Sequence, residues 1–319
     1  MPHQRPFKQV DVFSATPYFG NALAVVLDAS GMTDDAMQRF AAWTNLAETT
    51  FVLPPTPEAA AAGADYQVRI FTTAYEMPFA GHPTLGTCHA WLEHGGQPRT
   101  PGRIVQQCKV GLVTLQPEHG RLAFAAPPLT RSAIAPDLLP ALLSALGLHA
   151  DQVVASQRLT NGPQYFGLLL DSDDTVLALT PDFAAIRTVL AQGGCSGVGI
   201  AALATQTEEG AGLIRRSNRE ARAFGASASQ RATDSADQPD VEVRMFVSDL
   251  AVSEDPITGS FNASLAQWLI ADGHTPSHYV AAQGRCVGRD GRVYISQDPT
   301  GQVWVGGHSV TCITGQVFL

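Results

Sequence analysis

Three side chains able to carry protons stand beside segments rich in small residues, proline and glycine. Glu48 lies in Asn45-Leu46-Ala47-Glu48-Thr49-Thr50-Phe51, at the mouth of an apolar run. A carboxylate there is costly to desolvate unless paired, so its pKa should rise. That is what a general acid/base working near neutral pH requires. On this segment alone the plainer reading is a strand-end glutamate paired with an arginine. His82 and Asp255 each stand directly before a proline, in Gly81-His82-Pro83-Thr84-Leu85-Gly86-Thr87 and in Glu254-Asp255-Pro256-Ile257-Thr258-Gly259-Ser260. Asp255 is a candidate acid/base or orienting group, with N-cap as its plain alternative. Glu254 reads as a first-turn dipole partner or a hydrogen-bond partner of His82.

Both segments share Pro-x-x-Gly followed by Ser or Thr, after Arg69-Ile70-Phe71 in one case and Arg244-Met245-Phe246 in the other. Proline suits a first helical turn, and glycine lets a ligand approach the backbone. Free N–H groups at such a helix start, together with the helix dipole, attract anions. Each motif alone reads as an ordinary capped core helix. As a repeated pair carrying His82 and Asp255, they predict two helix starts facing across a cleft that holds a small carboxylate or a developing enolate.

The elements that must position these residues also repeat. Alternation over Phe7 to Phe13 and the run Leu23 to Leu27 predict strands. Thr33 is an N-cap candidate, followed by Asp34 and Asp35 and by Met37, Phe40 and Ala41 at helical spacing, with the helix ending near Asn45. Glu48 then falls in a short connection before the strand Thr50 to Leu53; prolines and an alanine-rich linker lead to the strand Tyr66 to Thr72. Thr180 to Leu203 resembles Thr33 to Leu53 as helix, small-residue turn and apolar strand. Gly194-Cys195-Ser196-Gly197-Val198-Gly199 is therefore the counterpart of the Glu48 turn. It lacks the lysine and downstream acid of a nucleotide loop. Two segments repeated in one order predict a duplicated chain around a shared cleft. Residues 217–240 are polar, rich in Ala and Ser, and predict a surface insertion.

The chain has 319 residues and a net charge of −9, with 45% apolar and 15% charged residues. Two domains are expected at this length. The acidic balance and the lack of any basic run exclude nucleic acid and anionic membranes as partners. The charged residues before Val12 do not suit a secretion signal, and no apolar stretch is long enough to span a bilayer. Five scattered cysteines read as reduced thiols, so the cytoplasm is expected. His82, Cys88, His89 and His94 lack zinc-ligand spacing, and no metal is expected.

Asn-Leu-Ala-Glu-Thr-Thr-Phe-Val at 45–52, Gly-His-Pro-Thr-Leu-Gly at 81–86 and Glu-Asp-Pro-Ile-Thr-Gly-Ser at 254–260 resemble the three signature blocks of the PhzF (phenazine biosynthesis) family. Asp11-Val12-Phe13 with Gly20-Asn21-Ala22-Leu23-Ala24-Val25, and the closing Gln283-Gly284-Arg285 to Val305-Gly306-Gly307, fit as well, so the resemblance spans the chain. It implies an α+β, duplicated two-domain diaminopimelate-epimerase-like fold, each half an antiparallel sheet wrapped around a central helix. The expected first domain is residues 1–127 plus 308–319, and the second 128–307. The resemblance implies Glu48, His82 and Asp255 as catalytic residues, and Asn21, Gly81, Gly259 and Ser260 as substrate-binding residues. It also implies a homodimer acting on a small-molecule carboxylate with no cofactor, as in the isomerisation of dihydro-3-hydroxyanthranilate. Ala47 departs from the serine often found in its block. No cysteine falls at the two helix starts, which excludes the two-thiol chemistry of diaminopimelate epimerase. The alternatives are a two-base epimerase or racemase using Glu48 and Asp255, and a non-catalytic small-molecule binder.

Overall fold

Strand-forming alternation and two helices that are apolar on nearly every face decide the architecture. The computed structural model describes residues 3–204, 238–248 and 253–319. Most of the expected insertion, 217–237, lies outside the described residues. In chain order the first half runs β1 (Gln4–Val12), β2 (Asn21–Val26), α1 (Asp34–Thr44), β3 (Glu48–Leu53), α2 (Pro57–Ala61), β4 (Tyr66–Phe71), β5 (Glu76–Met77), α3 (Gly81–Glu93), β6 (Ile104–Cys108), β7 (Gly111–Glu118) and β8 (Arg121–Ala125). After β9 (Thr130–Ser132) and α4 (Leu138–Leu146) come β10 (Val153–Thr160), β11 (Gln164–Leu170), α5 (Asp173–Ala178), α6 (Phe183–Gly193), β12 (Gly197–Leu203), β13 (Val241–Val247) and α7 (Gly259–Ala271). The chain closes with β14 (His278–Gln283), β15 (Gly291–Gln297), β16 (Val303–Gly307) and β17 (Ser309–Phe318).

The pairing pattern shows the duplication directly. In the first half β1–β2 is antiparallel, β2–β3 parallel, β3–β4 antiparallel, β4–β6 parallel, and β6–β7 and β7–β8 antiparallel. In the second, β10–β11, β11–β12, β12–β13, β13–β14, β14–β15 and β15–β16 repeat the same sequence of senses. Each sheet is thus mixed rather than purely antiparallel. The parallel pairs arise because a helix crossover returns the chain in the direction it left. β8 pairs with β16 and joins the halves, β9 pairs with β10, and β17 returns to β1.

The central helices are α3, which packs against β1, β2, β3, β8 and β17, and α7, which packs against β10, β15 and β16. Burial of α3 from Gly81 through Cys88 and of α7 from Gly259 through Ala266 is nearly complete, as expected of helices enclosed by a sheet. The opposite face of the first sheet is covered by α1, whose Met37, Phe40 and Ala41 meet Val26, Phe51 and Phe71. Thr33 caps α1, its hydroxyl accepting from the Ala36 N–H at 3.2 Å. The outer face of the second sheet carries α4 and α6. The alanine-rich stretch after Pro57 forms α2 rather than a linker, with Thr56 as its cap. Among the described residues no helix is long and apolar enough to cross a membrane.

Candidate active site

Glu48 is delivered by the end of α1. Asn45 adopts a left-handed φ of 55° there, a conformation asparagine tolerates, and turns the chain into β3. Glu48 is itself the first residue of β3 rather than part of the connection, and it pairs alongside Leu23 of β2. His82 lies in the first turn of α3. Asp255 sits in the loop after β13, its N–H donating to the Met245 carbonyl at 2.9 Å.

The helix starts correct the repeat as read from the prolines. α3 begins at Gly81, so Pro83 is inside its first turn, whereas α7 begins at Gly259 and Pro256 precedes it in the loop. Counted from the helices, Gly81 matches Gly259 and His82 matches Ser260, so His82 and Asp255 are not structural equivalents. The matching glycines touch. A Cβ built on Gly81 would lie 2.8 Å from the Gly259 Cα and carbonyl carbon and from the Ser260 nitrogen. Neither helix has a side-chain cap, so both starts present backbone N–H groups to the same cleft.

That cleft is lined by Glu48, Gly81, His82, Asp255, Gly259 and Ser260, all expected there, and also by Tyr75, Met77, Pro163, Tyr165, Ser196, Val247 and Thr258. Asn21 is not among its lining residues. It stands behind Asp255, its amide nitrogen donating to Asp255 Oδ1 and to the Ile257 carbonyl, both at 2.9 Å. The same nitrogen faces His82 Nδ1 at 3.3 Å. Since an amide NH₂ only donates, that ring nitrogen is bare, and the tautomer assigned by this network places the hydrogen on Nε2. Nε2 points at Glu48 Oε2, 3.4 Å away.

The two carboxyls are held differently. Asp255 Oδ2 accepts from the Thr258 hydroxyl at 2.5 Å and Oδ1 from Asn21, so both its oxygens are engaged. Glu48 Oε2 is buried and has no hydrogen-bond partner among the described residues. Burial, reinforced by the charge of Asp255, pushes the Glu48 carboxyl up to about 8. Burial also raises Asp255, to about 6, against the opposing pull of Thr258 and Asn21. Desolvation drives His82 down to about 3. At neutral pH the Glu48–His82 pair is therefore a contact between two uncharged groups, not a salt bridge. The arginine partner anticipated for Glu48 is absent among the described residues.

Glu254 is not a partner of His82. Its carboxylate takes a two-pronged hydrogen bond from Arg244, at 3.0 and 2.8 Å, and both residues are buried. Arg244 also donates to the Val176 and Leu179 carbonyls, tying the Asp255 loop to α5. Tyr165 of the cleft wall, and Asn161, which does not line it, had no catalytic signature in the sequence. Asn161 donates to the Ser260 carbonyl and the Tyr165 hydroxyl lies 2.8 Å from Ser260 Oγ, together fixing the start of α7. Asn161-Gly162 marks a hairpin turn in the sequence, but nothing local says that it reaches another helix. Cys88 is buried inside α3, and His89 faces Glu93 and Thr311.

A duplicated fold with two uncapped helix starts and two unlike carboxyls in one cleft defines an isomerase or epimerase-like enzyme. The phenazine biosynthesis-like protein family, PhzC-PhzF, is matched over residues 10–315, and the chain belongs to it. It is 31% identical to antisense-enhancing sequence 1 of Schizosaccharomyces pombe, over 99% of each chain. To a trans-2,3-dihydro-3-hydroxyanthranilate isomerase of Pseudomonas aeruginosa it is 29% identical, over 97% of this chain and 98% of that one. A solved PhzF-family phenazine biosynthesis protein of Bacillus anthracis is similar with a TM-score of 0.77, at 22% identity, over 99% of this chain and 100% of the other. That last likeness shows the fold.

Proposed function

We propose that this isomerase moves a proton within a small unsaturated or cyclic carboxylic acid, with Glu48 as the group that takes and returns it. The supporting observation is the contrast between the carboxyls: Glu48 lines the cleft and has an oxygen with no hydrogen-bond partner among the described residues, while both Asp255 oxygens already accept hydrogen bonds. A carboxyl poised near neutral can serve as base and then as acid. The His82 Nε2–H faces the Glu48 oxygen that becomes charged when the proton has been passed on. Gly81, Gly259 and Ser260 offer backbone N–H groups for the substrate carboxylate and for charge developing on it. Asn21 and Thr258 hold Asp255, which orients polar groups of the substrate. The same reading has the enzyme act without metal, flavin or nucleotide, in the cytoplasm, as a homodimer. It divides the chain into residues 1–127 with 308–319 and residues 128–307. Dihydro-3-hydroxyanthranilate, the substrate named for the Pseudomonas aeruginosa relative, is the first compound to test.

The experiment is deuterium uptake from D₂O into candidate acids. Wild type exchanges substrate hydrogen and Glu48→Gln does not, although it remains folded. Full exchange by that variant defeats the assignment. A two-base epimerase instead yields a stereoisomer and makes Asp255→Asn as damaging as Glu48→Gln; a non-catalytic binder takes up ligand with no exchange.

A further inference from the structure

The duplication pairs the Glu48 turn with a second turn in the other half. Asn45 and Gly194 end α1 and α6 with φ of 55° and 62°, and β3 and β12 begin at the third residue after each, Glu48 and Gly197. By this count Gly197 stands where Glu48 stands, and Ser196 where Ala47 stands. Position 197 has no room for a side chain, since a Cβ there would meet the Phe246 carbonyl oxygen at 2.7 Å. The second half therefore brings no carboxyl to the cleft from this turn. What it brings is Ser196, a half-buried residue of the cleft wall.

The Ser196 main chain is engaged: its N–H donates to the Gln164 carbonyl at 2.8 Å, and its carbonyl accepts from the Ser248 N–H at 3.2 Å. Its hydroxyl has no hydrogen bond among the described residues. The Thr258, Ser260 and Tyr165 hydroxyls of the cleft already have side-chain partners, Thr258 on Asp255 and Ser260 with Tyr165, the latter pair keeping one hydrogen to donate. Met77, Pro163 and Val247 make much of the remaining wall apolar. A rigid backbone that presents one uncommitted hydroxyl among such residues is a hydrogen-bonding position for a ligand.

We propose that Ser196 is a specificity-determining residue, whose hydroxyl hydrogen-bonds a hydroxyl or amino substituent that the substrate carries in addition to its carboxylate. The enzyme then prefers substituted unsaturated acids to their unsubstituted counterparts. This rests on the proton-transfer reading, since it concerns the substrate that Glu48 acts on. One hydrogen bond made to substrate and lost in the unsubstituted acid corresponds to a preference of about tenfold.

The test measures initial deuterium uptake into unsaturated monocarboxylic acids supplied in pairs, with and without one ring hydroxyl or amino group, trans-2,3-dihydro-3-hydroxyanthranilate among them. Wild type, Ser196→Ala, Ser196→Thr and Glu48→Gln are compared. Because the hydroxyl makes no hydrogen bond among the described residues, its removal should leave folding intact, as a cooperative urea transition would show. The expected result is a wild-type preference of about tenfold for the substituted member, reduced towards unity in Ser196→Ala and kept in Ser196→Thr. An unchanged preference in Ser196→Ala overturns the assignment of Ser196 while leaving Glu48 in place. Exchange surviving in Glu48→Gln overturns the proton-transfer reading instead, and no exchange by wild type with any pair overturns both.

Discussion

Replacing Gly81 by alanine tests whether backbone contact between the helix starts sets the site. The added methyl would lie 2.8 Å from two backbone atoms of Gly259 and from the Ser260 nitrogen. Ordinary carbon contacts begin near 3.5 Å, so the helix starts must part by about 0.7 Å. Neither neighbour is a flexible side chain that could swing aside. Overpacking of this kind costs about 1–3 kcal/mol of stability. The greater consequence is for the chemistry: α3 carries His82, α7 carries Ser260, and a displacement near 1 Å can lower a rate about a hundredfold. Deuterium uptake at saturating substrate should fall by roughly 10- to 100-fold, with a cooperative urea transition retained. Gly86→Ala, in the same helix, is the control. The atoms nearest its methyl would be side-chain carbons of Leu23 and Val12, each at 2.7 Å, rather than backbone, so it should cost stability while sparing turnover. A Gly81→Ala enzyme that exchanges at the wild-type rate, or a Gly86→Ala enzyme equally impaired, would refute the reasoning.

The raised carboxyls make stability depend on pH. Glu48 is held at about 8 against an ordinary 4.5, and Asp255 at about 6 against 3.8, so the fold retains protons that the unfolded chain has released. Their contribution is complete below about pH 4 and is lost as pH rises to about 8. Glu48→Gln, which cannot ionise, should remove much of this slope and be more stable than wild type near pH 8 by a few kcal/mol, on the order given by about 1.4 per pKa unit. Urea titrations across this range giving parallel curves would contradict the burial argument. The second-order rate of deuterium uptake should climb with pH towards about 8, and a limb near 6 belongs to Asp255 and should vanish in Asp255→Asn, because His82 is held near 3; a limb near 6.5 that survives in Asp255→Asn would mean that His82 ionises. Glu254→Gln leaves Arg244 buried without its charge partner and should cost about 3–5 kcal/mol in chemical denaturation. A loss below 1 kcal/mol would show the pair to be dispensable.

Much of the fold is legible in the sequence because local chemistry carries it. Thr33 and the Met37, Phe40 and Ala41 spacing marked α1, and the left-handed ends at Asn45 and Gly194 follow from residues that tolerate positive φ. The repeat of helix, turn and strand announced the duplication, although proline alignment matched His82 with Asp255 where the helices match His82 with Ser260. Local pattern could not decide that register, since proline is accepted both within a first turn and ahead of it. The parallel pairings were likewise hidden, because buried strands read as apolar runs whichever way their neighbours point.

By itself the sequence determined the element types, the doubled order, and the presence of a carboxyl beside a buried strand, all properties of neighbouring residues. Only tertiary structure decided which polar groups were already partnered. Asp255 and Glu48 are both acids in apolar surroundings, yet Asn21, distant in the chain, hydrogen-bonds one of them, while among the described residues the Oε2 of the other has only the His82 ring at 3.4 Å and no hydrogen bond. Glu254 went to Arg244 for the same reason. Hydrogen bonds in the cleft link residues that folding brings together from far apart, and desolvation depends on everything that surrounds a group, so neither can be read from a short stretch of chain.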